Sequence, residues 1–306
     1  MEAPLRRLLL TLSEQQRLKD VILRVPFSRQ VALRFVAGET LDEALDASKR
    51  LNDLGLDVTL DFLGESVTDA ERADAATSSY LTSLDAIPDS AARASISLKP
   101  TQLGLAIDPD LCYENLLRIV GRAQELDNFV RIDMESSAYT QSTLDVFERV
   151  FERHSNVGVV IQSYMRRSEA DIARLVELGA PVRLCKGAYD EPVSVAFQRK
   201  DEVDASYVRL MKMLLGGGAP TAIATHDEKM VDATLEYARE EGIDPEAFEF
   251  QMLYGVRRDY QRRIASDGHR MRIYVPYGSE WYSYLMRRMA ERPANLIFVT
   301  RAVFGD

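Results

Sequence analysis

The sequence predicts a (β/α)8 barrel of the TIM type, preceded by helices and closed by a last helix over the C-terminal mouth. Three observations predict it. From Asp57 onward eight short strand-like runs each lead into a helical pattern. Alternating βα units imply parallel strands, and eight of them in about 240 residues match a closed barrel. The rival, a doubly wound sheet, should carry a G-x-G-x-x-G turn between a strand and its helix, and none is present.

Residues 1–56 read as a helical extension and residues 57–306 as the barrel. Ser13-Glu-Gln-Gln16 and Thr40-Leu-Asp-Glu43 have the capping-box pattern. The second opens an amphipathic run through Leu51 that Gly55 closes. Between them, Pro26 to Val36 is apolar enough to pack as a helix. Val58–Leu63 is the first strand, and Thr68-Asp-Ala-Glu71 caps the helix after it. Ser95–Leu98 follows, then Asp108-Pro109 as N-cap and N1 of a helix through Gln124. Phe129–Asp133 precedes a helix from about Thr140 to His154, and Val157–Ile161 precedes one at Ser168. Val182–Lys186 leads to a long helical span through Leu215. Gly216-Gly217-Gly218 precedes a strand, so it is a flexible connection on the αβ side. Thr221–Thr225 is followed by a helix that Gly242 ends, and Phe248–Met252 by one carrying Arg257, Arg258, Arg262 and Arg263.

The eighth run, Met271–Val275, breaks at Pro276-Tyr277-Gly278 and resumes as a helix. There Tyr284, Arg287, Arg288 and Glu291 fall at i, i+3, i+4 and i+7, on one face. Tyr282, Leu285, Met286 and Met289 supply the opposite, apolar face. Two adjacent arginines beside a tyrosine suit a small carboxylate. The same spacing also suits a solvated ion pair, which is common and weak.

Composition narrows the partners. With 306 residues, 46% of them hydrophobic, the chain can bury a sizeable core. A net charge of −10 offers no basic field to nucleic acid. No apolar run approaches the ~18 residues of a membrane span. The N-terminus lacks a signal-peptide cleavage region, so a cytoplasmic location is expected. Cys112 and Cys185 read as inert buried thiols. His154, His226 and His269 form no ligand pair, so no metal is expected.

In a barrel, chemistry gathers where the strands end. Those ends hold Asp61 to Glu65, Lys99 to Gln102, Asp133 to Glu135, Gln162 to Tyr164, Arg183 to Tyr189, Thr225 to Asp227, Gln251 to Tyr254, and Tyr274. Each alone has a plain structural explanation. Together they form a polar ring that needs partners. Its cations, Lys99, Arg183 and Lys186, suit an anionic ligand, and it contains no nucleophile elbow, Cys-His pair or metal spacing. That composition suits an organic cofactor which supplies the chemistry itself.

At these residues the chain resembles the proline dehydrogenase family. The resemblance runs from about Asp57 to the C-terminus. It rests on LGE (Leu63 to Glu65), SLK (Ser97 to Lys99), Ile132 to Glu135, Val159 to Tyr164, RL-KGAY (Arg183 to Tyr189), Ala224 to His226, Glu249 to Gly255, and Arg272 to Glu291. It implies FAD at the C-terminal face, L-proline as substrate, a quinone-type acceptor and transient contact with a membrane surface. It implies Asp133 and Arg183 as the catalytic pair. Lys99, Arg287 and Arg288 would hold the proline carboxylate, and Tyr189, Leu253, Tyr274 and Tyr284 would line the ring pocket. Met134, Gln162, Arg183, Lys186, Gly187, Ala188, Thr225, His226 and Glu291 match cofactor-contacting positions. Asp190, where the bifunctional members carry an aromatic, departs from the pattern.

Two other readings stay open at this point. One is a Schiff-base aldolase using Lys99 or Lys186, which needs a desolvated or cation-flanked lysine. The other is a non-catalytic binding or scaffold barrel.

Overall fold

The structure, a computed structural model, describes residues 34–64, 67–282 and 284. Helix α1 (Leu41–Asn52) comes first, and its cap is the expected box. Thr40 Oγ1 accepts from the Glu43 N–H, and the Glu43 carboxylate accepts from the Thr40 N–H. Eight strands follow: β1 (Asp57–Phe62), β2 (Ala94–Leu98), β3 (Val130–Ile132), β4 (Val157–Gln162), β5 (Val182–Cys185), β6 (Thr221–Ala224), β7 (Phe248–Leu253) and β8 (Met271–Tyr277). They pair in sequence order, all parallel, and β8 closes on β1. Between them run α2 (Ala70–Asp89), α3 (Pro109–Glu125), α4 (Ser137–Phe151), α5 (Ser168–Glu177), α6 (Lys200–Gly216), α7 (Glu228–Glu240) and α8 (Arg258–Ser266).

Most element ends agree with the sequence reading, and the exceptions have local causes. The α2 cap is Asp69 and not Thr68, because the Asp69 carboxylate reaches the Arg72 N–H at 2.9 Å. A carboxylate there also meets the positive end of the helix dipole. Helix α4 starts three residues earlier than expected, at Ser137, whose N–H donates to Glu191 at 2.6 Å. Strand β8 continues through Pro276, whose carbonyl accepts from the Ala37 N–H at 2.9 Å. Cys112 is buried, whereas Cys185 is only partly so. Among the described residues no helix is long and apolar enough to cross a membrane.

Strand alternation divides the interior from the helix layer. Val58 and Leu60 of β1, Ile96 and Leu98 of β2, Val159 of β4, Leu184 of β5 and Ile273 of β8 join one buried cluster with the helices, including Leu84, Leu116, Phe147 and Leu210. Each such fully buried side chain contributes roughly 1.5–3 kcal/mol. The alternate residues face inward, and barrel registers place them in rows: Thr59 beside Ser95 and Tyr274, Ser97 beside Arg131, Arg131 beside Gly158, Arg183 beside Ala222, Gln251 beside Arg272. Barrel interiors usually hold branched apolar layers. This one holds hydroxyls, carboxylates and guanidiniums.

Gly158 is the gap that makes room for one of them. A Cβ at this position would lie 2.5 Å from the Pro181 carbonyl oxygen and against the Arg131 guanidinium. Gly158→Ala should therefore destabilise the fold by about 1–3 kcal/mol, as overpacking does. Urea unfolding measures this; an unchanged midpoint would mean that the strand yields freely.

Candidate active site

Hydrogen bonds that cross the barrel centre on Arg183. Its Nη1 donates to Asp133 Oδ1 at 2.7 Å, its Nη2 to Ser97 Oγ at 3.0 Å and its Nε to Gln251 Oε1 at 2.5 Å. These partners come from the end of β3, from β2 and from β7, so the planar fork of one arginine ties β5 to strands it does not adjoin. The second Asp133 oxygen accepts from the Tyr274 hydroxyl at 2.7 Å. The Tyr274 ring lies 5.3 Å from the Arg183 guanidinium carbon. Burial raises the Tyr274 hydroxyl well above its ordinary pKa, and the Asp133 and Asp61 charges add to the rise. It therefore remains a donor.

Lys99, just past the end of β2, approaches the same group. Its ammonium donates to Asp61 Oδ1 at 2.7 Å and lies 3.9 Å from Asp133 Oδ2. Asp61 is only 1% exposed. Burial pushes its carboxyl above the usual range, against the opposing pull of Lys99. Asp61, Lys99, Asp133 and Arg183 thus form two cation–carboxylate pairs at the C-terminal end of the barrel.

A second group lies on the β5–β6 side. Lys186 donates to Asp204 of α6 and, at 2.7 Å, to Asp227; Lys200 pairs with the same two carboxylates. Gly187 takes φ +113°, and a side chain there would run into the Tyr164 ring. Gln162 Nε2 donates to the Glu135 carbonyl at 2.8 Å, and the Glu135 carboxylate accepts from the Thr101 hydroxyl at 2.7 Å. Nε2 of His226 accepts from the Leu253 N–H at 3.0 Å, which fixes the imidazole and places its remaining proton on Nδ1. Thr225 is buried, with its hydroxyl accepting from the Asp227 N–H.

Asp227 gives this group a pH signature. Burial alone would raise its carboxyl, but the bonds from Lys186 and Lys200 outweigh burial and hold it at about 2. A carboxyl depressed by folding contributes stability above its unfolded value of about 4, and that stability is lost as pH falls toward 2. Asp227→Asn should flatten the fall in Tm between about pH 5 and pH 3. Equal slopes in variant and wild type would remove Asp227 from the account.

The structure brings Lys99, Asp133, Arg183 and Tyr274 into one network, and joins His226 to Leu253. Met134 is buried, and Tyr189 and Ala188 are half-buried in the stretch after β5. Tyr284 is buried. Glu65, Arg287, Arg288 and Glu291 lie outside the described residues, as do the expected helix start at 13–16, residues 26–33 of the helix expected over Pro26 to Val36, and the helix beyond Tyr284; residues 34–36 form a turn and not the end of a helix. The cations do not stand free for a ligand, as composition alone suggested; each has a carboxylate. Asp61 and Gln251 were visible at strand ends, and alternation with Tyr274 could have marked them as inward-facing. Asp204 comes from a helix, and no strand-end pattern would have found it.

Comparison with known proteins agrees with the geometry. The family model described as "Proline dehydrogenase" matches residues 44–301. Proline dehydrogenase 2 of Bacillus subtilis is 42% identical over 276 residues, covering 90% of this chain and 91% of that one. Proline dehydrogenase of Deinococcus radiodurans is 36% identical over 303 residues, covering 97% of each. Among solved structures, proline utilization A (PutA) from Bdellovibrio bacteriovorus, inactivated by N-propargylglycine, superposes with a TM-score of 0.82 at 28% identity. That match covers 91% of this chain but 34% of the other, so the chain spans about a third of that protein. The barrel, the strand-end residues and the extent of these matches agree: the chain belongs to the proline dehydrogenase family.

Proposed function

We propose that this protein is an FAD-dependent proline dehydrogenase, oxidising L-proline to Δ1-pyrroline-5-carboxylate and passing the electrons to a quinone-type acceptor. The observation that carries the reading is the Asp133–Arg183–Tyr274 network at the barrel mouth, flanked by Lys99. The residue types present fit the cofactor: Gln162, Thr225, Lys186 and Arg183 put amide, hydroxyl and cationic groups near the strand ends, and a ligand with a diphosphate and an acceptor-rich flat ring would share them with their present protein partners. Gln162, Lys186, His226, Glu291 and the Met134 and Gly187-Ala188 backbone would hold it. FAD, when bound, supplies the hydride acceptor.

The chain's own task is placement. Arg287, Arg288 and Lys99 hold the proline carboxylate, and Tyr189, Leu253, Tyr274 and Tyr284 enclose the ring and exclude water. Such a clamp would orient the ring carbon beside nitrogen for hydride loss. The amine must be unprotonated so that its lone pair can help expel hydride. Arg183, fixed by three acceptors, keeps a positive charge at the mouth without reorganisation.

The Schiff-base alternative is disfavoured by Lys99 and Lys186. Both are ion-paired to carboxylates, the reverse of the cation-flanked lysine such chemistry needs. The FAD-reconstituted protein should reduce an artificial electron-accepting dye only when L-proline is added, and absence of that reduction would refute the reading. Arg288→Met should raise KM for proline by about a hundredfold, the value of a lost charge-assisted carboxylate bond, while flavin content stays constant. Loss of flavin with unchanged KM would move Arg288 out of the substrate clamp.

A further inference from the structure

At the opposite, N-terminal end of the barrel is a cavity of about 200 Å3 among the starts of the strands. Four arginines line it, Arg131, Arg183, Arg270 and Arg272, against the single acidic residue Glu249. Three of the four have acidic partners. Arg183 pairs with Asp133 at 2.7 Å, Arg270 with Glu249 at 3.3 Å, and Arg272 with Glu249 at 2.8 Å and Asp57 at 3.5 Å.

Arg131 differs. It is 6% exposed, and among the described residues it takes part in no ion pair. Its Nη1 donates to the Pro181 carbonyl at 2.8 Å and the Val159 carbonyl at 3.3 Å, and its guanidinium lies 4.8 Å from the centre of the Phe129 ring. Its Nε is buried with no hydrogen-bond partner. Buried charges are ordinarily paired, and a buried N–H without a partner is costly. Yet the barrel accommodates this side chain by design: Gly158, its neighbour in the row on β4, is the one residue type that leaves the guanidinium space.

We propose that this cavity is a binding site for a small inorganic anion, a halide or a tetrahedral oxyanion, seated on Arg131 with Arg270 and Arg272 at its rim. An anion supplies the charge that Arg131 lacks. The volume decides the ligand's size. At about 200 Å3 the cavity has room for a small ion with a few waters. The site lies at the other end of the barrel from the mouth and shares Arg183 and Gln251 with it.

Two measurements on the full-length, FAD-loaded protein test this. Crystals soaked in sodium bromide, or in sodium phosphate, should show the anion beside the Arg131 guanidinium, bromide being located by its anomalous scattering. In solution at constant ionic strength, replacing gluconate by bromide or by phosphate should raise Tm saturably, by about 2–4 °C. A response to bromide alone assigns a halide, and a response to phosphate alone assigns an oxyanion. Arg131→Met should abolish the response. Arg270→Met, at the half-exposed rim, should weaken the apparent affinity about tenfold and decides the matter should Arg131→Met fail to fold. The proposal is overturned if neither anion occupies the cavity, if neither shifts Tm saturably, or if the variants respond as the wild type does.

Discussion

Arg183→Met is expected to lower kcat/KM for L-proline by about a thousandfold, ~4 kcal/mol of transition-state stabilisation. Methionine approximates the volume of the arginine stem but donates nothing. Asp133 would keep the Tyr274 hydroxyl at 2.7 Å and the Lys99 ammonium at 3.9 Å but lose its nearer cation, while Ser97 and Gln251 would lose their shared donor. Arg183→Lys should restore little of the rate, because one ammonium cannot reach acceptors on β2, β3 and β7 together. Steady-state kinetics normalised to flavin content separates this from cofactor loss. A normalised kcat/KM within tenfold of wild type would show that the Arg183 charge is not part of the reaction.

Asp133→Ala should have the larger effect on stability. It leaves the Arg183 guanidinium, 7% exposed in its side chain, without its carboxylate. Removing one member of a buried pair costs about 3–5 kcal/mol, chiefly through the charge left behind. The double variant Asp133→Ala/Arg183→Met should then be less destabilised than the sum of the single variants, since no buried charge remains unmatched. Equilibrium unfolding of the four proteins gives the coupling directly. Strict additivity would mean that Asp133 and Arg183 are held by their other neighbours and not by each other.

Much of this architecture was legible because parallel barrels repeat one rule. Each apolar run followed by an amphipathic pattern marks a βα unit, and eight of them leave few alternatives. The strand ends were legible for the same reason, since topology alone gathers Lys99, Asp133, Arg183 and Tyr274 at one end. Pairing was not legible. Nothing in the local sequence says that Lys99 meets Asp61 across 38 positions, or that Lys186 is held by an aspartate from α6. The cation-rich ring therefore read as a ready anion site, whereas each cation already has a carboxylate. Arg131 was not legible as a binding residue because it lies within β3 and faces the N-terminal end of the barrel, where stability and not binding is the rule. Its meaning depends on Gly158, one strand over, which leaves it space.

The central claim is that the mouth around Asp133, Arg183 and Tyr274 oxidises L-proline with a bound flavin. The most direct measurement is an anaerobic titration of the purified, FAD-loaded protein with L-proline, followed by visible absorption. The wild type should bleach as proline is added, and Arg183→Met should keep its flavin yet bleach far more slowly. A wild-type protein that binds flavin but is not bleached by L-proline, or that cannot be loaded with FAD, would contradict the account.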